Sequence, residues 1–89
     1  MADLSLINWL LDGNYRIKVL NLLKSSPNIP TNISKKLGIH KSSLSRVLKD
    51  LYNKNLVEKI TSDSRTITYK VSRLGEEILN TLSKKDNDK

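Results

Sequence analysis

The residues best equipped for chemistry lie in the stretch HKSSLSRVLKDLYNKNLVEKI, which runs from His40 to Ile60. Serine hydroxyls and the Arg46 guanidinium donate hydrogen bonds to anionic oxygens and to the acceptor atoms of bases, and lysine ammonium groups attract phosphates as point charges. Hydroxyl and amine groups without a neighbouring base are weak nucleophiles. The stretch therefore indicates binding of a polyanion and not catalysis.

The net charge of the whole chain is also positive. Its 89 residues include 16 Lys and Arg against 9 Asp and Glu, which gives a formal net charge of +7. Such a balance favours nucleic acid or an anionic membrane surface, and charge alone does not distinguish them. With 37% hydrophobic residues at this length, we expect one small domain whose modest core gains from oligomerisation.

Composition also argues against several functions. The chain has no cysteine, which excludes disulfides, zinc fingers and thiol chemistry, and its single histidine, His40, has no obvious partner for a metal site or a nucleophile. We therefore expect no cofactor, no metal and no enzymatic activity, with His40 as a helix cap or surface residue. The N-terminal stretch MADLSLINWLLDG has polar interruptions, no basic leader and too little length to cross a bilayer, so we expect a cytoplasmic protein.

Apolar periodicity predicts the helices that position the polar stretch. Leucine and isoleucine recur at helical spacing in residues 3–11, a second helix follows from Tyr15, and TNISKKLG forms a short helix that Gly38 ends. The next helix buries one apolar stripe and exposes the serines and cations of its other side. That stripe consists of Leu44, Val47, Leu48 and Leu51.

The period then changes to two. Asn55 ends the helix because asparagine tolerates the left-handed conformation, and residues 56–60 and 66–71 alternate as antiparallel strands around the polar tip TSDSR. Ser72 caps a final helix. The predicted fold is mainly α (α+β), as one domain over 1–83 and a charged flexible tail over 84–89. Its parts are an N-terminal helix 3–11, a helix-turn-helix 31–54, a hairpin wing 56–71 and a C-terminal helix 73–82.

From residue 15 to residue 82 the chain resembles the winged helix-turn-helix of MarR-like and ArsR-like transcriptional regulators of bacteria and archaea. NISKKLGIHKSSLSRVLKDLYNKNLVEKI, the pair Asp63 and Arg65 in the wing, and VSRLGEEIL carry this resemblance. Asn55 stands where the family usually has glycine, and Ser34 stands where it usually has a small alanine. The chain is also shorter than a full MarR-like regulator, which leaves little room for the family's usual ligand pocket.

A helix of this kind enters the major groove with its N-terminal end, whose side chains reach base edges. We therefore expect Arg46 to contact guanine, together with base contacts from serines and a minor-groove contact from Arg65 in the wing. The serine candidates are Ser42, Ser43 and Ser45. The candidates for phosphate contacts are Lys35, Lys36, Lys41, Lys49 and Lys54, with Lys59 as an additional candidate.

Each of these residues also has a simpler interpretation. Arg46 could pair with Asp50 one helical turn later, the serines could only satisfy free amides of the first turn, and Lys54 and Lys59 could be solvated surface charges. Asp63 either holds Arg65 or caps the turn. Both Tyr52 and Tyr69 are expected to pack between helix and hairpin and not to stack on bases.

The N- and C-terminal helices carry more apolar surface than so small a monomer needs, which predicts a two-fold dimer that reads an inverted repeat. The predicted interface residues are Leu4, Ile7, Trp9, Leu11, Leu74, Ile78 and Leu82.

The resulting hypothesis is a sequence-specific regulator of transcription that binds double-stranded DNA as a homodimer, from a bacterial, archaeal or viral genome. Two alternatives remain at this stage. One is an architectural or replication-associated protein that binds DNA with little sequence preference, and the other is a winged helix that binds proteins.

Overall fold

The computed structural model describes residues 4–13, 15–61 and 67–87. The predicted fold class is confirmed, since helices and one antiparallel hairpin occur in the expected order. The elements are α1 (Leu4–Asp12), α2 (Arg16–Ser25), α3 (Pro30–Leu37), α4 (Lys41–Asn53), β1 (Val57–Thr61), β2 (Ile67–Val71) and α5 (Arg73–Asn87).

One apolar core lies between the helices and the hairpin. Helix α2 has a central position because it contacts α1, α3, α4, α5 and β2, and it contributes three fully buried side chains. The apolar stripe of α4 is buried in the same core, except that Val47 is only partly covered. The most deeply buried residues of these two helices are Val19, Leu20, Leu23, Leu44, Leu48 and Leu51.

Helix α3 starts one residue earlier than predicted. Proline occupies its first helical position at Pro30, where the missing N–H is not needed for helical hydrogen bonding. The Asn28 side-chain oxygen accepts hydrogen bonds from the Ile29 amide (3.0 Å) and from the Asn32 side chain (3.1 Å). The Asn28 side chain therefore organises the start of the helix.

The two strands pair from Val57 opposite Val71 to Thr61 opposite Ile67. A third segment joins them, because Asn28 and Tyr69 exchange two backbone hydrogen bonds of 2.9 and 2.8 Å. The connection between α2 and α3 is thereby attached to the hairpin. The tip of the wing, with its predicted site residues Asp63 and Arg65, lies outside the described residues.

The last helix is longer than the sequence predicted. It extends from Arg73 to Asn87, whereas the prediction ended it at residue 82 and assigned a tail from residue 84. The chain beyond Gly75 contains no glycine or proline that would end a helix, which accounts for the difference. None of the helices in the described ranges is long and apolar enough to cross a membrane.

Candidate nucleic-acid interface

The turn between α3 and α4 is held by one serine. The amides of Gly38 and Ile39 donate to the Ser34 carbonyl oxygen at 2.8 and 3.2 Å, and the Ser34 hydroxyl donates to the Ile39 carbonyl oxygen at 2.6 Å. Gly38 has a left-handed φ of 66°, and Ile39 is buried. The backbone and side chain of Ser34 thus close the turn that leads into α4.

Helix α4 has an apolar buried side and a polar exposed side. Five side chains between positions 42 and 49 are predicted to contact bases or phosphates, and all five are exposed. Within the described part of the chain, none of these side chains makes a hydrogen bond or an ion pair. These residues are Ser42, Ser43, Ser45, Arg46 and Lys49. Their donors are available to a ligand.

The alternative pairing of Arg46 with Asp50 is not formed. Among residues 4–13, 15–61 and 67–87, the ion pair within 4.0 Å is that of Lys70 with Glu58, whose atoms are 3.6 Å apart. Arg46 therefore does not have to leave a carboxylate in order to bind an anion.

The N-terminus of α4 attracts anions. His40 occupies the N-cap position without a side-chain cap hydrogen bond, and the first turn contains no acidic residue. The free first-turn amides and the helix dipole leave a partial positive charge at this end. The prediction of His40 at a cap position agrees with the structure, although its imidazole does not perform the capping.

Positive charge is concentrated on the α3–α4 unit. Residues 30–54 contain six Lys and Arg and a single acidic residue, Asp50. The six cationic side chains are all exposed. Lys35 and Lys36 lie in the last turn of α3, and Lys41 lies in the first turn of α4. A polyanion that meets the α4 N-terminus therefore also meets these ammonium groups.

Lys54 lies apart from the other predicted phosphate ligands. It is the C-cap of α4, roughly 20 Å along the helix axis from the N-terminal turn. Its ammonium lies 5.4 Å from the centre of the Trp9 ring, over which the Arg16 guanidinium also lies at 3.9 Å. Arg16 also donates a hydrogen bond to the Trp9 carbonyl. Lys54 therefore lies next to α1 and apart from the cations at the α4 N-terminus, and its phosphate contact stays a prediction.

The predicted dimer residues separate into three groups by burial. Ile7 and Ile78 are buried within the single chain, so they are core residues and offer no surface to a second copy. Trp9, Leu74 and Leu82 are partly buried against the same core. Only two residues of the predicted interface are strongly exposed: Leu4 at 75% and Leu11 at 60%.

Sequence reasoning missed one feature of the polar surface. Tyr52 was expected to pack between helix and hairpin, but it is 43% exposed and lies under the Lys59 ammonium, which is 4.3 Å from the ring centre. The available signal was helical spacing, since Tyr52 follows Ser45 by seven residues on one side of α4.

No group of His, Cys, Asp and Glu suited to a metal ion occurs among the described residues.

The rigid turn, the exposed side of α4 and the adjoining hairpin define a winged-helix domain of the type that transcriptional regulators use. The sequence model of one family, described as "Sugar-specific transcriptional regulator TrmB", matches residues 17–74, which is more than half of the chain. The chain belongs to the TrmB family of transcriptional regulators. The predicted class, a winged-helix transcriptional regulator, is thereby confirmed.

Solved structures of MarR-type regulators have similar folds. A mutant of MarR from E. coli, complexed with operator DNA, is 25% identical with a TM-score of 0.73, and the match covers 86% of this chain. The adhesin competence repressor AdcR from Streptococcus pyogenes is 18% identical with a TM-score of 0.75 over 94% of this chain. ZitR from Lactococcus lactis is 18% identical with a TM-score of 0.73 over 78% of this chain.

The chain is shorter than these proteins. The aligned part spans 49% of the ZitR chain, 60% of the MarR chain and 69% of the AdcR chain. The curated proteins compared with this sequence include no significant match. The similarity thus concerns the winged-helix unit.

Proposed function

We propose that this protein is a transcriptional regulator that binds double-stranded DNA sequence-specifically by inserting α4 into the major groove. The observation that carries the proposal is the exposed N-terminal half of α4, whose hydroxyl and guanidinium donors have no partner within the described part of the chain. The operator complex of the MarR relative supports it, because the two folds are similar over most of this chain. We infer no enzymatic activity, and we place such a regulator in the cytoplasm, with the genome.

The proposed contacts of the α4 side chains differ according to their chemistry. The Arg46 guanidinium offers a planar pair of donors that matches the O6 and N7 acceptors of guanine, while Ser42, Ser43 and Ser45 donate to bases or phosphates. Lysines bind phosphates as point charges, which contributes affinity without sequence information. In this proposal the phosphate ligands are Lys35, Lys36, Lys41 and Lys49.

Two further parts complete the proposed complex. Arg65, at the wing tip, enters a minor groove, where the negative potential of a narrow groove attracts arginine. A second copy of the chain docks through Leu4 and Leu11 of α1, the strongly exposed apolar residues of that helix. Two α4 helices spaced by one DNA turn, about 34 to 36 Å, would then read an inverted repeat.

The test is selection from a randomised duplex library at about physiological salt, with the wild type, Arg46→Ala and the control Arg73→Ala. We expect the wild type and the control, an exposed arginine at the start of α5, to enrich one inverted repeat. Arg46→Ala should lose about 1 to 3 kcal/mol of binding and relax the preference at one base pair per half-site.

Other results would contradict the proposal. Retention of DNA without enrichment of any sequence would indicate an architectural DNA-binding protein. Absence of retention would favour a protein-interaction role. If Arg46→Ala bound and selected like Arg73→Ala, the assignment of α4 as the reading element would be incorrect.

A further inference from the structure

The wing-facing side of α4 continues the polar surface beyond its N-terminal half. Lys41, Ser45 and Tyr52 follow one another at intervals of four and seven residues, so they form one line along the helix. All three are exposed, although an aromatic ring at the junction of helix and hairpin would ordinarily be covered. The Tyr52 hydroxyl has no hydrogen-bond partner within the described ranges.

Strand β1 supplies a cation at the end of this line. Lys59 lies opposite Tyr69 and Glu58 lies opposite Lys70, so the lysines at positions 59 and 70 project from opposite faces of the hairpin. The Lys59 ammonium lies 4.3 Å from the Tyr52 ring centre, toward α4, whereas Lys70 pairs with Glu58 at 3.6 Å on the other face. Lys59 has no carboxylate partner among the described residues, so its charge remains available.

The length of α4 determines which part of the DNA the Tyr52 hydroxyl and the Lys59 ammonium contact in a complex. Thirteen residues extend about 20 Å, whereas the major groove is about 12 Å wide and 8.5 Å deep. With the N-terminal end at the base edges, the last turn leaves the groove at its phosphate wall. Tyr52 lies in that turn, on the side that faces the wing.

We propose that the Tyr52 hydroxyl and the Lys59 ammonium together bind one backbone phosphate at the edge of the groove that α4 enters. The cation–π contact holds the lysine over the ring before DNA arrives, which reduces the side-chain entropy lost on binding. Tyr52 and Lys59 together position α4 and the wing on the same DNA strand. Their contact adds affinity without reading a base. This inference rests on the proposed function.

The experiment measures affinity for the selected duplex over a range of salt concentrations, with Tyr52→Phe, Lys59→Gln and the control Lys70→Gln. Tyr52→Phe keeps the ring and removes only the hydroxyl, and the two lysine variants remove equal charge from opposite faces of one hairpin. We expect about a tenfold loss for Tyr52→Phe and for Lys59→Gln. Lys59→Gln should also lower the slope of log affinity against log salt by about 1 per half-site, and Lys70→Gln should leave it unchanged.

Arg46→Ala distinguishes failure of this inference from failure of the proposed function. If Arg46→Ala loses affinity while Tyr52→Phe binds like the wild type, or while Lys59→Gln matches Lys70→Gln, the phosphate site is overturned and α4 remains the reading element. If the wild type retains no duplex, both are overturned. Thermal unfolding of each variant identifies losses that come from folding, and a variant that binds less only because it unfolds counts against the inference.

Discussion

At the scale of single residues, Asn55 shows how one position sets the end of α4. It has a left-handed φ of 64°, and its amide donates to the Tyr52 carbonyl oxygen at 3.0 Å while the Leu56 amide donates to that of Leu51 at 2.9 Å. These two hydrogen bonds form a Schellman motif, in which the leucines at both ends are also buried. The motif turns the chain directly from α4 into β1.

The effect of replacing Asn55 on stability therefore depends on the residue that is introduced. Asn55→Ala should lower the free energy of unfolding by about 1 kcal/mol, because a Cβ without a compensating polar group is unfavourable at positive φ. Asn55→Gly, the matched control, should leave it equal or raise it by up to about 1 kcal/mol. Urea unfolding of the three proteins measures both values. Equal stability of the alanine and glycine variants would contradict the conformational argument.

How far the sequence could predict individual residues depends on the range of their contacts. Asn55 and Ser72 were predictable because capping is local: the Gly75 amide donates to the Ser72 hydroxyl at 3.1 Å. The second hydrogen bond of Ser72, to the Asn55 carbonyl oxygen at 2.6 Å, was not predictable because it spans 17 residues. The position of Lys54 at the Trp9 ring has the same explanation, since helical periodicity does not specify which distant ring a lysine meets.

At the scale of elements, Gly75 determines how closely α5 approaches the hairpin. A Cβ at this position would lie 2.5 Å from the Leu56 carbonyl oxygen and 2.6 Å from a methyl group of Val71. The carbonyl belongs to the backbone immediately before β1 and also accepts a hydrogen bond from the Ser72 amide at 2.9 Å. It cannot move without disturbing the junction of helix and wing.

Gly75→Ala should accordingly destabilise the protein by about 1 to 3 kcal/mol, although alanine is the better helix former. The matched control is Glu77→Ala, an exposed position on the same helix, which should change stability by less than about 0.5 kcal/mol. Thermal or urea unfolding measures both. If Gly75→Ala unfolds like the wild type, α5 has room to move away and the close approach is not required.

The order of the elements was predictable because each has its own periodicity and its own breaker. Pro27 precedes α3, Pro30 begins it and Gly38 follows it, while the alternation in residues 56–60 and 66–71 changes the period from helix to strand. The bridge between Asn28 and Tyr69 was not predictable, since a two-residue contact leaves no period in the sequence. The extent of α5 was underestimated because charged residues without glycine or proline do not end a helix.

At the scale of the whole molecule, α1 presents apolar surface on two sides. Ile7 and Leu10 are buried against the rest of the chain, while Leu4 and Leu11, seven residues apart, point away from it. Two leucines with 75% and 60% of their surface exposed on a helix this short leave a small apolar face in water. A second copy that places the same face against it covers both leucines at once, since a two-fold interface is self-complementary.

The double variant Leu4→Ser and Leu11→Ser tests this assembly. We expect the wild type to be a dimer at micromolar concentration and the double variant to associate at least about 100-fold more weakly, because burial of one leucine side chain contributes about 1.5 to 3 kcal/mol. Ile60→Ser is the matched control, because Ile60 is also an exposed aliphatic residue, at 41%, but lies on the wing. Sedimentation over a range of concentrations measures the association, and circular dichroism checks that each variant is folded. A double variant that dimerises like the control would show that α1 is not the interface. A monomeric wild type would contradict the dimer and, with it, the proposal that the protein reads an inverted repeat.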